Sequence, residues 1–177
     1  MIEKNRISFR PMRKDDLGSV MDIDRLSFRM PWPESAYCHD LMNNPNAMLW
    51  VAEEHSQDNG SKVIGMIDVW LILDEAHIAT LAIHPDYRGE GIAANMLRKV
   101  LFEAFNSGAR RAMLEVRASN QIAQSLYEGF GFEIVTRRRR YYRDNNEDAL
   151  LMNLDNLADL INQEQEFQEQ RTDIPVE

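Results

Sequence analysis

Apolar positions recur along this chain with two different periods, and each change of period marks the boundary of an element. Alternation over residues 7–11 predicts a first strand. Leu17, Val20, Met21, Ile23 and Leu26 then follow a helical repeat, with Asp15 or Asp16 placed to cap it. Residues 29–33 read as a loop. Residues 34–43 read as a short helix, with Pro33 near its start and Pro45 beyond its end, where proline cannot continue the hydrogen-bond ladder. Residues 47–53 and 62–73 are strand-like and flank the polar stretch 55–61, the pattern of a hairpin. Another strand is predicted over 75–83. Ile92, Met96, Leu97, Val100, Leu101, Ala104 and Phe105 share one face of a helix over 91–107, which Gly108 stops. A strand over 112–116, a helix over 120–129 and a last hairpin pairing 132–142 with 148–153 complete the series. The mixture is α/β. No internal repeat is visible. From Asp155 the chain is acidic and glutamine-rich, with Leu157, Leu160 and Ile161 on one helical stripe before apolar content thins toward an end expected to be disordered.

Composition narrows the class. At 177 residues with 44% apolar content, the chain is one domain by length and buries a core without metal or disulfide support. Cys38 is its single cysteine, so no internal disulfide forms, and the polar start of the chain does not resemble a signal peptide. A cytoplasmic protein is expected. No apolar run approaches the roughly 20 residues of a membrane span, since Gly65 and Asp68 interrupt even 63–73. The net charge of -9 argues against general affinity for nucleic acid and favours basic partners such as amines or Arg-rich peptides. His39, His55, His77 and His84 show no metal-ligand spacing, and no metal is expected.

The most informative stretch is 80–97, a strand that runs through a glycine-bearing turn into an amphipathic helix. Within it Arg88-x-x-Gly91-x-Ala93 keeps bulky side chains away from the backbone where a helix begins, so amide N–H groups and the positive end of the helix dipole can face a pyrophosphate. By itself this pattern also fits an ordinary strand-to-helix turn that uses glycine for backbone freedom. About thirty residues later, Leu114-Glu-Val-Arg-Ala-Ser-Asn120 and Ser125-Leu-Tyr-Glu-Gly-Phe-Gly-Phe132 add a second strand and helix. The three segments in this order resemble the GNAT superfamily of acyl-CoA-dependent N-acyltransferases, and the likeness covers most of the chain.

That resemblance implies a GNAT fold over residues 1–154, with 155–177 as an acidic tail, helical at first. The implied sheet is single, mixed and mostly antiparallel, with a splayed central parallel pair and flanking helices. It implies acetyl-CoA as cosubstrate. Leu81, Ala82 and Ile83 would pair their backbone with the pantetheine arm, and Arg88, Gly89, Glu90, Gly91, Ile92, Ala93 and Ala94 would form the pyrophosphate turn. The family carries a bulge in the strand before this turn; Thr80 stands where close relatives often have asparagine. Asn120 matches the family residue that reaches the pantetheine, and it suits a helix N-cap equally well.

Glu115 shares a strand face with Met113 and Arg117. It reads either as a surface carboxylate paired with Arg117 or Arg111, or as the general base that removes a proton from an attacking amine. In its LEVRASN context it matches the proton acceptor of bacterial N-terminal alanine acetyltransferases. Tyr127 lies on a stripe with Ile122, Ala123, Leu126 and Phe130. It reads as a core tyrosine or, by resemblance, as the general acid that protonates the departing thiolate; an ordinary phenol pKa near 10 keeps its proton in place at neutral pH. Arg137 to Arg140 alternate across two strand faces and read as a solvated edge hairpin rather than one basic patch. Trp32 and Tyr142 are candidates to line the acceptor slot, or plain packing.

The resemblance implies acetyl transfer to the N-terminal α-amine of a protein, with a ribosomal protein as the leading class, by direct attack in a ternary complex. Two alternatives remain open at the level of sequence. One is the same chemistry on a lysine side chain or a small amine. The other is a non-catalytic CoA-binding module whose acidic tail docks a partner. The sequence leaves the oligomeric state open.

Overall fold

A computed structural model describes residues 6–56 and 60–163, so the expectations for the polar start, the tip of the first hairpin and the end of the tail lie outside the described residues. Seven strands form one sheet: β1 (Arg6–Pro11), β2 (Ala47–Ser56), β3 (Gly60–Ile72), β4 (Glu75–Ile83), β5 (Arg111–Arg117), β6 (Glu133–Tyr142) and β7 (Glu147–Leu154). Their spatial order is β1-β2-β3-β4-β5-β7-β6. Every neighbouring pair is antiparallel except β4 with β5, which run parallel. A parallel connection needs a long crossover, and helix α3 (Ile92–Asn106) provides it.

Two irregularities shape the centre of the sheet. β4 and β5 pair only from Glu75 with Arg111 to Ile78 with Leu114, so Leu81–Ile83 and Glu115–Arg117 have diverged. This is the expected splay. Where it begins, Asp68 faces Thr80 while Val69 faces Ile78, which leaves Ala79 as the extra residue of a bulge.

The apolar positions fall on both faces. One cluster lies between the sheet and α3, joined by α4 (Gln121–Glu128); Met96, Leu97, Val100 and Leu101 of α3 are fully buried in it. The other lies under α1 (Leu17–Ser27) and α2 (Glu34–Met42), around Val20, Ile23, Tyr37, Val51 and Met66. The stripe at the start of the tail closes the first cluster. Residues 157–163 are helical, Leu157 is fully buried, and its N–H donates to the Arg110 carbonyl at 2.8 Å. The packed unit therefore runs past residue 154. No helix among the described residues is long and apolar enough to cross a membrane.

Two helical stripes differ from the apolar periodicity for the same reason. Leu26 and Ile122 are 56% and 88% exposed, while Asp24 and Gln124 are buried on those helices instead. Asp24 Oδ2 accepts from the Trp32 N–H at 2.7 Å and Oδ1 from the Tyr37 hydroxyl at 2.9 Å. Gln124 Nε2 donates to the carbonyls of Arg117 and Ala118 at 3.1 Å each. A polar side chain that satisfies backbone groups takes the inward position. Asp16 departs likewise from the capping expectation. It stands at the α1 N-cap position without a side-chain cap bond, because its carboxylate is engaged by the Arg10 guanidinium and the Arg13 N–H.

Candidate active site

The turn after β4 has the form of a cradle. Gly89 and Gly91 adopt φ of +82° and +76°, conformations that side-chain-bearing residues rarely take, and a Cβ built on either meets nothing within 4 Å. Gly91 is the N-cap of α3, with no side-chain cap. The first-turn amides of a helix lack intrahelical acceptors, so those of Ile92, Ala93 and Ala94 present N–H groups and the positive dipole end to the turn. Ile92 contributes backbone only, because its side chain is buried in the core. Glu90 is exposed at the rim. Arg88 is turned inward: Nε donates to the Ile83 carbonyl and Nη2 to the Ser27 hydroxyl, each at 2.9 Å. It braces the turn against β4 and α1. Asn120 caps α4 through Oδ1, which accepts from the Ala123 N–H at 3.1 Å. On β4, Leu81, Ala82 and Ile83 are paired with β3 on one side only. Their other edge, beside the splay, suits the amides of a pantetheine chain.

A pocket of about 400 Å³ opens where the strands part, with Ile78, Ala79 and Glu115 on its strand-side lining. Trp32 and Trp70 form one wall, stacked at 6.0 Å between ring centroids. Tyr141 and Tyr142 form the other. The structure thus brings Trp32, Glu115 and Tyr142 to one cavity. It adds Trp70, Tyr141 and His77, which were not among the candidate site residues. The two tyrosines are adjacent in sequence and would face opposite sides of a regular strand. A register shift in β6 between Arg138 and Tyr142, with Arg140 at φ +51°, turns both into the pocket. His77 is bonded through Nε2 to Glu75 at 2.9 Å.

The ion pairs around Glu115 differ from those expected. Arg111 bonds Asp74 and Glu75, and Arg117 is held by Asp144 and Glu147. Glu115 pairs instead with Arg138 from β6. Arg117 stacks on Tyr142, its guanidinium carbon 3.8 Å from the ring centroid, and so fixes the wall residue to the end of β5. Arg137 is neutralised by Asp148, so the arginine run divides among separate partners.

Tyr127 does not line the pocket; it is 7% exposed on α4, tilted against Phe132. Burial, and then the neighbouring Tyr142, push its phenol well above the ordinary range. Tyr142 is moved up to about 12, mainly by burial. Behind the tryptophan wall lies a group of buried acids. Asp40 Oδ2 accepts from the Trp70 indole N–H at 3.1 Å. Asp24 holds the Trp32 N–H and the Tyr37 hydroxyl. Asp68 is sealed from solvent with both oxygens outside hydrogen-bond geometry, and burial, reinforced by Asp40, raises its pKa to about 8. Among the described residues no group of three or more His, Cys, Asp or Glu is placed to hold a metal ion.

The family model described as the acetyltransferase (GNAT) family matches residues 17–132, which contain the cradle, the splayed strands, Glu115 and Tyr127. The chain belongs to the GNAT acetyltransferase family. A Bacillus subtilis relative, provisionally named a ribosomal protein bS18-alanine N-acetyltransferase, is 37% identical over 149 residues, 84% of this chain and 95% of that protein. Among solved structures, the Escherichia coli ribosomal-protein-alanine N-acetyltransferase superposes with a TM-score of 0.74 at 29% identity, covering 84% of this chain and 93% of that one. Arabidopsis thaliana NAA60, solved with acetyl-CoA, shares the fold at a TM-score of 0.77 and 24% identity, covering 84% and 98% of the two chains. The chain therefore has the predicted α/β architecture, a mostly antiparallel sheet with one parallel pair.

Proposed function

We infer that this enzyme acetylates the N-terminal α-amine of a protein from acetyl-CoA, in the cytoplasm, with a ribosomal protein beginning in alanine as the leading acceptor class. The observation that carries the reading is the pocket itself: its wall ends at Glu115, where β4 and β5 part beside the unpaired edge of Leu81–Ile83. The names of the relatives from Bacillus subtilis and Escherichia coli point to the same acceptor. Catalysis rests on residues 17–132 and on the β6–β7 hairpin that supplies Tyr141 and Tyr142.

Acetyl-CoA supplies the activated acyl group. Backbone amides of the Gly89–Ala94 turn and the dipole of α3 bind its pyrophosphate, while Leu81–Ile83 and Asn120 hold the pantetheine. Trp32 and Tyr142 flank the acceptor. Glu115 takes the proton that leaves the acceptor nitrogen, directly or through a water, as that nitrogen bonds to the acyl carbon. Tyr127 supplies the proton that the leaving sulfur accepts when the carbon–sulfur bond breaks. Cys38, partly buried on α2, is not used as a nucleophile, and no acyl-enzyme forms.

Proton bookkeeping favours an α-amine. With a free pKa of about 7.7 to 8.0, roughly a tenth of it is already neutral at pH 7, against well under about a thousandth of a lysine side chain. One carboxylate is enough for the former. The test is mass spectrometry of acetyl transfer to a peptide beginning Ala-Arg with an internal lysine, beside the same peptide with a blocked N-terminus. Transfer to the free α-amine alone is expected. Acetyl on lysine in both peptides moves the acceptor to a side chain, and acetyl-CoA binding without any product turns the reading toward a non-catalytic module.

A further inference from the structure

Glu115, the group that the proposed reaction needs for the acceptor, is already engaged. Arg138 donates through Nη1 to Glu115 Oε1. The guanidinium carbon of the same arginine lies 5.6 Å from the centroid of the Tyr141 ring, and Tyr141 lines the same pocket as Glu115. A cation resting on a carboxylate and against an aromatic ring makes the two contacts that an organic ammonium would make in this pocket.

Arg138 is also free to leave. It stands on β6, at the edge of the sheet, immediately before the register shift, and its side chain is 49% exposed against 24% for Glu115. Arg117 is different: its guanidinium is clamped by Asp144 and Glu147 against Tyr142. A rotamer change carries the Arg138 guanidinium to solvent without opening the core.

We propose that Arg138 is a resident counter-ion of Glu115, which the acceptor's α-ammonium displaces on binding, so that this arginine sets acceptor affinity. The proposal rests on the acceptor reading above. Binding in the wild type exchanges one ion pair for another, and the gain is small. Without the guanidinium, Glu115 stands unpaired and the incoming ammonium gains the whole pair. An N-blocked peptide has no α-ammonium to exchange and is indifferent to the change.

The experiment is calorimetry of the full chain saturated with CoA, titrated with an Ala-Arg peptide and with its N-acetylated form, for wild type, Arg138→Gln and Arg138→Lys. Arg138→Gln is expected to lower the Kd of the free-amine peptide about threefold to tenfold, with the blocked peptide within about twofold. Arg138→Lys, which keeps the charge, stays near the wild-type Kd. An unchanged or raised Kd in Arg138→Gln overturns the proposal. So does equal tightening for the blocked peptide, or tightening in the lysine variant as large as in the glutamine one. Acetyl transfer by the wild type to the same peptide is scored separately. Transfer without tightening rejects the counter-ion, whereas tightening without transfer rejects the reaction and leaves the ion-pair exchange standing.

Discussion

Replacing Asp68 with asparagine isolates the electrostatic cost stored behind the acceptor pocket. The carboxyl is 1% exposed, both oxygens lack a partner in hydrogen-bond geometry, and burial followed by the nearby Asp40 raises its pKa from 3.8 to about 8. Between those two pH values the folded protein keeps a proton that the unfolded chain has lost. The stability contributed by this group is therefore fully present below about pH 4 and is lost as pH rises toward 8, at about 1.4 kcal/mol per pH unit. Summed over the window, the loss is roughly 5 to 6 kcal/mol, a large share of an ordinary folding free energy. Asparagine has nearly the same shape and no proton to lose. The assay is urea denaturation of wild type and Asp68→Asn at pH 5, 6, 7 and 8 at constant ionic strength. Asp24, whose pKa burial also raises, contributes the same sign to both proteins and cancels in the comparison. The difference in unfolding free energy, wild type minus variant, should fall steadily across the series and level off above pH 8. Parallel curves would refute the claim that Asp68 is held neutral in the fold.

Three further substitutions test other parts of the site. Gly91→Ala adds a methyl group to a left-handed residue with open space around it, so urea denaturation should show a loss of only about 1 to 2 kcal/mol, whereas acetyl-CoA affinity by calorimetry should fall about tenfold or more; unchanged affinity would remove the cradle from the cofactor site. Glu115→Gln and Tyr127→Phe should each lower kcat by about 100-fold or more in steady-state assays, the second with acetyl-CoA Kd within about twofold, and an unaltered kcat in both would sink their assigned roles. Leu157→Ala should cost about 2 to 5 kcal/mol in the same denaturation assay, because the side chain is fully buried in the core; a loss under about 1 kcal/mol would return residue 157 to a loosely attached tail.

Most of the sheet was legible because strand alternation and the glycine-bearing turn are local signals. β4 spans the residues predicted for it, and α3 begins where the glycines end. Glu115 and Tyr142 could be placed at a slot because a short, recognisable segment surrounds each. What the sequence hid were side chains whose position depends on partners far along the chain. Apolar periodicity assigns Leu26 and Ile122 inward, yet Asp24 and Gln124 win those places by bonding backbone groups that periodicity does not weigh. Strand alternation separates Tyr141 from Tyr142, yet the irregularity near Arg140 brings both to one wall.

The partner of Glu115 was hidden for a related reason. Within β5 the natural candidates are Arg111 and Arg117, two of the nearest cations in sequence. Each is claimed by acids on neighbouring turns, Asp74 and Glu75 for the first, Asp144 and Glu147 for the second. That leaves the carboxylate to a residue 23 positions away, Arg138 on the edge strand. Competition among ion pairs, rather than spacing along β5, decides which cation meets the acceptor site. A cation delivered from a sheet edge can withdraw, whereas one clamped at the end of β5 cannot, and a site that must admit an ammonium requires the former.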